Sequence, residues 1–93
     1  MNVKEQLLLL LRMYADGKYD TASFCDQFCV LYFFENNGRN LFFGEERRVL
    51  DAFAAVVERY TNLEEDLQKY PDVYVGNDKV SEAFEFVKSA FRL

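Results

Sequence analysis

Residues 44–60 read GEERRVLDAFAAVVERY, and this stretch decides the fold. Val49, Phe53, Val56, Val57 and Tyr60 recur at spacings of three and four, the repeat of one side of an α-helix. Leu50 and Ala54 widen that stripe, and Ala54 with Ala55 leaves room mid-helix for a neighbour to approach closely. Glu45 and Glu46 fall in the first turn, where the helix dipole favours negative charge. A helix with so broad an apolar face needs partners on more than one side, which makes it the central helix of a bundle.

Two helices are predicted before it. Asn2 is a candidate N-cap, with Glu5 three residues on as in a capping box. Val3, Leu7, Leu10, Leu11 and Tyr14 form the apolar face of the first helix, and Gly17 ends it. Asp20 or Thr21 caps the second, whose buried side is Phe24, Cys25, Phe28, Cys29, Leu31 and Tyr32. Asn36, Asn37 and Gly38 supply the turn chemistry that stops it. Residues 39–43, RNLFF, read as a short extended or 3₁₀ connection tucked between helices. Leu41, Phe42 and Phe43 cannot all face one way, so at least one is expected to be exposed.

After the central helix, Thr61 and Asn62 read as a break and LEEDLQKY (63–70) as a turn or two of helix, with Leu63, Leu67 and Tyr70 on one face. Pro71 ends it, because proline lacks a donor and restricts the residue before it. DVYVG (72–76) reads as extended, and Asn77 or Asp78 as the cap of a last helix that buries Val80, Ala83, Phe84, Val87, Ala90 and Phe91. The predicted architecture is therefore all-α: one domain over residues 1–93, an antiparallel four-helix bundle with short connections.

Ninety-three residues suit one hydrophobic core and not two. A hydrophobic fraction of 51% with 29% charged residues places the chain among globular rather than disordered proteins. One Pro and four Gly leave few helix breakers. The five-leucine run Leu7–Leu11 is too short to span a bilayer, and its flanks do not resemble a signal peptide. The chain reads as cytoplasmic and whole, with no membrane partner. Cys25 and Cys29 lie four apart on one helix, where a disulfide would be strained, and no His is present to complete a zinc site. Both read as free thiols, in keeping with a reducing compartment.

No constellation points to catalysis. Without His the usual acid–base group at neutral pH is missing, and no nucleophile–base pair stands out. Glu64, Glu65 and Asp66 are adjacent, which suits a solvated surface better than a tuned carboxylate pair. The glycines are scattered, so no phosphate cradle forms, and residues 72–82 lack the alternating ligands of a calcium loop. The expectation is a protein that is not an enzyme and has no catalytic residue, cofactor or metal.

What remains is charge. The chain carries −5, which disfavours direct nucleic-acid binding and favours a basic partner or plain solubility. Residues 64–85 hold seven acids and two bases, a net of −5, while residues 1–63 hold nine acids and seven bases. A solvation coat would spread its charge more evenly. A focused acidic patch steers a basic partner.

The chain also resembles the colicin D immunity protein family and the immunity proteins of contact-dependent growth inhibition systems. The resemblance rests on Thr21-Ala22 followed by Phe24, Phe28, Cys29 and Val30, on Asn40-Leu41 before Gly44-Glu45-Glu46, on Glu58-Arg59-Tyr60, and on the closing Val87–Leu93 segment. It covers most of the chain as scattered positions and is weakest between Thr61 and Val75. The resemblance implies a cytoplasmic four-helix bundle that binds the C-terminal nuclease domain of a toxin, often one that cleaves tRNA, and covers its basic RNA-binding cleft with carboxylates. By the family pattern those are Glu58, Glu64, Glu65, Asp66 and Asp72, and the charge count adds Asp78 at the margin. Tyr60, Tyr70 and Tyr74 stand beside them as candidate anchors. The free protein is expected to be a monomer or weak homodimer. A helical adaptor that docks some other basic protein is the alternative, and a domain that pairs with itself through Phe33 or Phe34, Phe42 and Phe43 is a third.

Overall fold

The computed structural model describes residues 1–34 and 38–93, so the turn expected at Asn36 and Asn37 lies outside the described residues. The described chain is all-helical, with α1 at Val3–Ala15, α2 at Thr21–Cys29, α3 at Gly44–Val57, α4 at Glu64–Lys69 and α5 at Asn77–Phe91. A π-helical turn, Val30–Phe34, extends α2, and a 3₁₀ turn, Gly38–Leu41, leads towards α3. No helix among the described residues is long and apolar enough to cross a membrane.

Local chemistry sets both ends of α1 and the start of α2. Asn2 Oδ1 accepts from the Glu5 amide at 2.8 Å, and Asp20 Oδ1 from the Ser23 amide at 2.7 Å, each satisfying a first-turn donor. Gly17, at φ 76°, closes α1: the Lys18 amide reaches back to Met13 O at 2.9 Å and the Gly17 amide to Tyr14 O at 3.0 Å, a Schellman pairing. One cap differs from expectation. Gly76 is the N-cap of α5 and Asn77 lies inside the helix, because the Asn77 side chain is taken by the Tyr60 hydroxyl at 2.8 Å.

The core is aromatic. Phe53 is 2% exposed, with ring centroids 6.0, 5.3 and 5.6 Å from those of Phe24, Phe28 and Phe84. Tyr14 from α1 stacks on Phe24 at 4.0 Å and meets Phe84 edge-on at 4.8 Å. Such pairs add to simple burial because ring edges are positive and faces negative. α1 contributes Leu7, Leu10 and Leu11, and α3 packs most extensively on α5. The centre of the α3 stripe lies at Leu50, Phe53, Ala54 and Val57, all buried, while Val49 and Val56 are half-buried at its edge. Leu50 and Ala54 are thus the middle of the stripe rather than its flank. Helix α3 also ends at Val57, so Tyr60 leaves the helical stripe.

The RNLFF connection divides its aromatics. Phe42 is fully buried, edge-on to Phe91 at 6.0 Å with Lys4 Nζ 5.3 Å above its ring, while Phe43 is 72% exposed. Just before it, Gly38 is buried where a Cβ would strike the Leu31 carbonyl oxygen and come within 2.6 Å of Leu7 Cδ1. The Tyr32 hydroxyl donates to Asp51 at 2.6 Å, and Asp51 also faces Arg47 at 3.5 Å and Arg39 at 3.8 Å. Burial, and then that bond to Asp51, hold the Tyr32 phenol well above its ordinary pKa.

A candidate acidic docking surface

Residues 58–78 are tied back to the end of α3 largely by hydrogen bonds, with Tyr60 and Val75 packed against the edge of the core. Tyr60 and Val75 make a single parallel bridge, with the Val75 amide donating to Arg59 O at 2.8 Å and the Thr61 amide to Val75 O at 3.0 Å. The Arg59 guanidinium donates to Val73 O at 2.7 Å and Asp72 O at 2.6 Å, clamping the turn after α4 to the end of α3. Helix α4 itself buries no residue. Leu63 and Tyr70 are 59% and 54% exposed, so of the face expected at Leu63, Leu67 and Tyr70 only Leu67 is half-buried. Six residues are too few to bury a stripe while both ends are occupied by turns.

The carboxylates expected from the sequence are displayed differently. Glu64, Glu65 and Asp66 occupy the first turn of α4, where negative charge is favoured. Asp66 is half-buried and accepts from the Thr61 hydroxyl at 3.1 Å, while that hydroxyl oxygen accepts from the Leu63 amide at 3.1 Å. Asp66 is therefore partly used in shaping its own helix start. Glu65 pairs with Lys69 at 3.7 Å, both well exposed, an attraction that water largely screens. Glu64, Asp72 and Asp78 are exposed and make no ion pair among the described residues. Glu58 is the C-cap of α3, exposed at the end where a helix dipole disfavours an anion. Its placement there does not serve the helix.

The fold brings Glu64 and Asp78 onto one groove of about 640 Å³ between α4 and the start of α5, lined also by Thr61, Leu67, Asn77 and the base Lys79. Asp72 and Glu65 lie outside it. Tyr70 and Tyr74 pair edge-on at 6.3 Å, Tyr70 the more exposed. Tyr60 is half-buried with its hydroxyl engaged by Asn77, so it braces the surface more than it offers an anchor.

Burial pushes the Cys29 thiol up, and the carboxylates of Glu58 and Asp26 push it further in the same direction. Tyr60 is raised chiefly by burial, with Asp20 and Asp26 among the charges that add to it. Burial pushes the Cys25 thiol up to about 12, with Cys29 and Asp26 contributing, so it is protonated at neutral pH. Both cysteines are free, and no group of three or more His, Cys, Asp or Glu among the described residues is placed to hold a metal ion.

Physically this segment offers exposed carboxylates on a backbone braced by hydrogen bonds, beside an aromatic pair. That arrangement suits docking to a positively charged macromolecular surface. Compared with family models, curated proteins and solved structures, the chain has no match.

Proposed function

We propose that this chain is an immunity protein, a non-catalytic inhibitor that binds the basic nuclease domain of a toxin in the cytoplasm and covers the cleft in which RNA phosphates would sit. A target of the tRNase class fits the family that the sequence resembles. The observation that carries the reading is the concentration of charge on residues 64–85, seven acids against two bases, on a segment whose helix α4 buries nothing. A protein that occludes a phosphate-binding cleft needs carboxylates where the nucleic acid has phosphates, held so that little ordering is left for the moment of binding. The Arg59 clamp and the Tyr60–Val75 bridge supply that ordering in advance. In this reading α1, α2, α3 and α5 are the antiparallel bundle and α4 is an addition that faces the partner. Glu58, Glu64, Glu65, Asp72 and Asp78 carry the charge, and Tyr70 with Tyr74 provides the apolar contact.

The test uses two folded variants. One reverses Glu64, Glu65 and Asp66 to Lys; the other reverses only Glu64 and Asp78, which share a groove and leave the Asp66–Thr61 bond intact. Each is checked by circular dichroism and assayed for neutralising co-expressed basic nuclease domains, at low and high salt. Loss of neutralisation, with association slowed most at low salt, is the expected result, since exposed charges act over a Debye length of roughly 8–10 Å. Unchanged neutralisation by both variants overturns the acidic-surface mechanism.

A further inference from the structure

The chain between α3 and α5 is held differently from the rest of the molecule. Val57 and Val80 are buried, and no residue from Glu58 to Lys79 between them is. Helix α4 takes part in none of the extensive contacts between elements, which join α3 to α5, α1 to α2 and α2 to both α3 and α5. Its half-buried Leu67 rests over Gly76 within the same segment, where a Cβ would lie 3.3 Å from Leu67 Cδ1. Tyr60 and Val75 reach the edge of the core.

The two ends of this segment are tied to each other at a neck. The Arg59 guanidinium donates to Val73 O and Asp72 O, the Val75 amide to Arg59 O, the Thr61 amide to Val75 O and the Tyr60 hydroxyl to Asn77 Oδ1. The side-chain bonds among these are all exposed to water. Six residues are far fewer than a helix needs to stand alone in water, so α4 depends on the neck to fix its ends. Breaking the neck therefore releases the whole segment together. Few buried apolar contacts and exposed hydrogen bonds mark a unit that opens below the free energy of global unfolding.

We propose that residues 58–76 are a strap that opens as one unit while α1, α2, α3 and α5 stay packed, and that Arg59 is its latch. The planar guanidinium grips two carbonyls at once and stays charged at any ordinary pH, which a lysine could not reproduce. Glu64, Glu65, Asp66 and Asp72, with Tyr70 and Tyr74, ride on the strap, whereas Asp78 stays on α5. Opening thus disperses the acidic surface without unfolding the core. Any partner that needs that surface whole binds in proportion to the closed fraction. The strap itself rests on packing and hydrogen bonds within this chain, whatever the partner is.

Amide hydrogen exchange of the intact chain, followed by NMR, tests this. The Thr61, Tyr70 and Val75 amides, all hydrogen-bonded in the strap, are expected to share one protection factor. It should lie about a hundredfold or more below that of the Phe53 and Phe84 amides and stay level in low urea, while exchange in the core quickens. Arg59→Met keeps the stem but removes the donors, and should speed strap exchange about tenfold or more. Arg48→Met, at an exposed arginine paired with Glu45, should leave it unchanged. The reciprocal variant is Val87→Ala, a cavity in the buried side of α5. It should speed the Phe53 and Phe84 amides about tenfold and leave the strap as it was, because the strap opens without disturbing that site. If Val87→Ala does not fold, the urea dependence of the wild-type chain decides. Strap amides as protected as the core, strap amides exchanging at free-peptide rates, or strap exchange that follows Val87→Ala would each overturn the proposal. So would strap exchange indifferent to Arg59→Met, or an Arg59→Met chain that unfolds outright.

Discussion

Phe53 and Glu64 are close in the sequence and opposite in circumstance. Phe53 is 2% exposed and ringed by Phe24, Phe28 and Phe84, while Glu64 opens a helix that buries no residue at all. The first region is held by side chains, whose shapes must fit one another. The second is held by hydrogen bonds, through the Tyr60–Val75 bridge, the carbonyls that Arg59 grips and the Tyr60–Asn77 and Thr61–Asp66 pairs. Side chains outside those bonds can vary without disturbing its form. Side chains at Glu64, Glu65 and Asp72 are then free to follow a partner, while those at Phe24 or Phe53 answer only to the core.

The comparison breaks most visibly at Phe53. Phe53→Ala leaves a ring-sized cavity and is expected to cost about 3–5 kcal/mol, a large share of the stability of so small a domain. Urea denaturation measures it, and a loss below about 1 kcal/mol would mean that the ring cluster is not what holds the fold. Gly38→Ala comes next. Its added methyl would collide with the Leu31 carbonyl and with Leu7, and overpacking of this kind costs about 1–3 kcal/mol. A stabilised Gly38→Ala would place that turn outside the tightly packed region.

A smaller effect follows from the buried acids of the core. The Cys25 thiol is raised from 9.0 to about 12 and the Tyr32 phenol from 10.0 upward, in both cases chiefly by burial. A raised native pKa means that the folded state prefers the protonated group. The contribution is fully present below the unfolded value and is lost as pH climbs towards the native one. Stability should therefore be level up to about pH 9 and decline above it, and Cys25→Ala should soften the first part of that decline, as read from urea midpoints across pH.

The smallest expected change sharpens the contrast from the other side. Reversing Glu64 and Glu65 to Lys should alter stability by less than about 0.5 kcal/mol each, since both side chains are exposed. Asp66→Lys should add about 1 kcal/mol for the lost Thr61 bond. A triple variant that lost several kcal/mol in the same urea assay would show that α4 supports the core after all.

Much of this was legible in the chain. The all-helical class, the α3 stripe, the Asn2 and Asp20 caps and the Gly17 stop are written in spacings of three and four and in single cap residues. So was the exposure of at least one aromatic in RNLFF, which fell on Phe43. The outward Phe86 follows from spacing too, since it lies two positions from the buried Phe84. The centre of the α3 stripe was harder, because Val49, Leu50, Val56 and Val57 are equally apolar and only the direction of the neighbouring helices chooses between them. The cap of α5 moved to Gly76 because Asn77 answers to Tyr60, a residue seventeen positions earlier.

Helical periodicity is a local property, set by backbone geometry and by contacts within a few residues, so the sequence alone determined where helices form, which side of each is apolar, and that the negative charge gathers after the central one. Whether that charge becomes a surface depends on where a connection runs, and that is decided by contacts far apart in the chain. Only the tertiary structure brings Glu64 and Asp78 onto one groove and sets the Arg59 guanidinium on the backbone of the turn that carries Asp72. A charge count sees each of these groups equally, because it contains no information on which carboxylates are spent on the fold and which are left to meet another molecule.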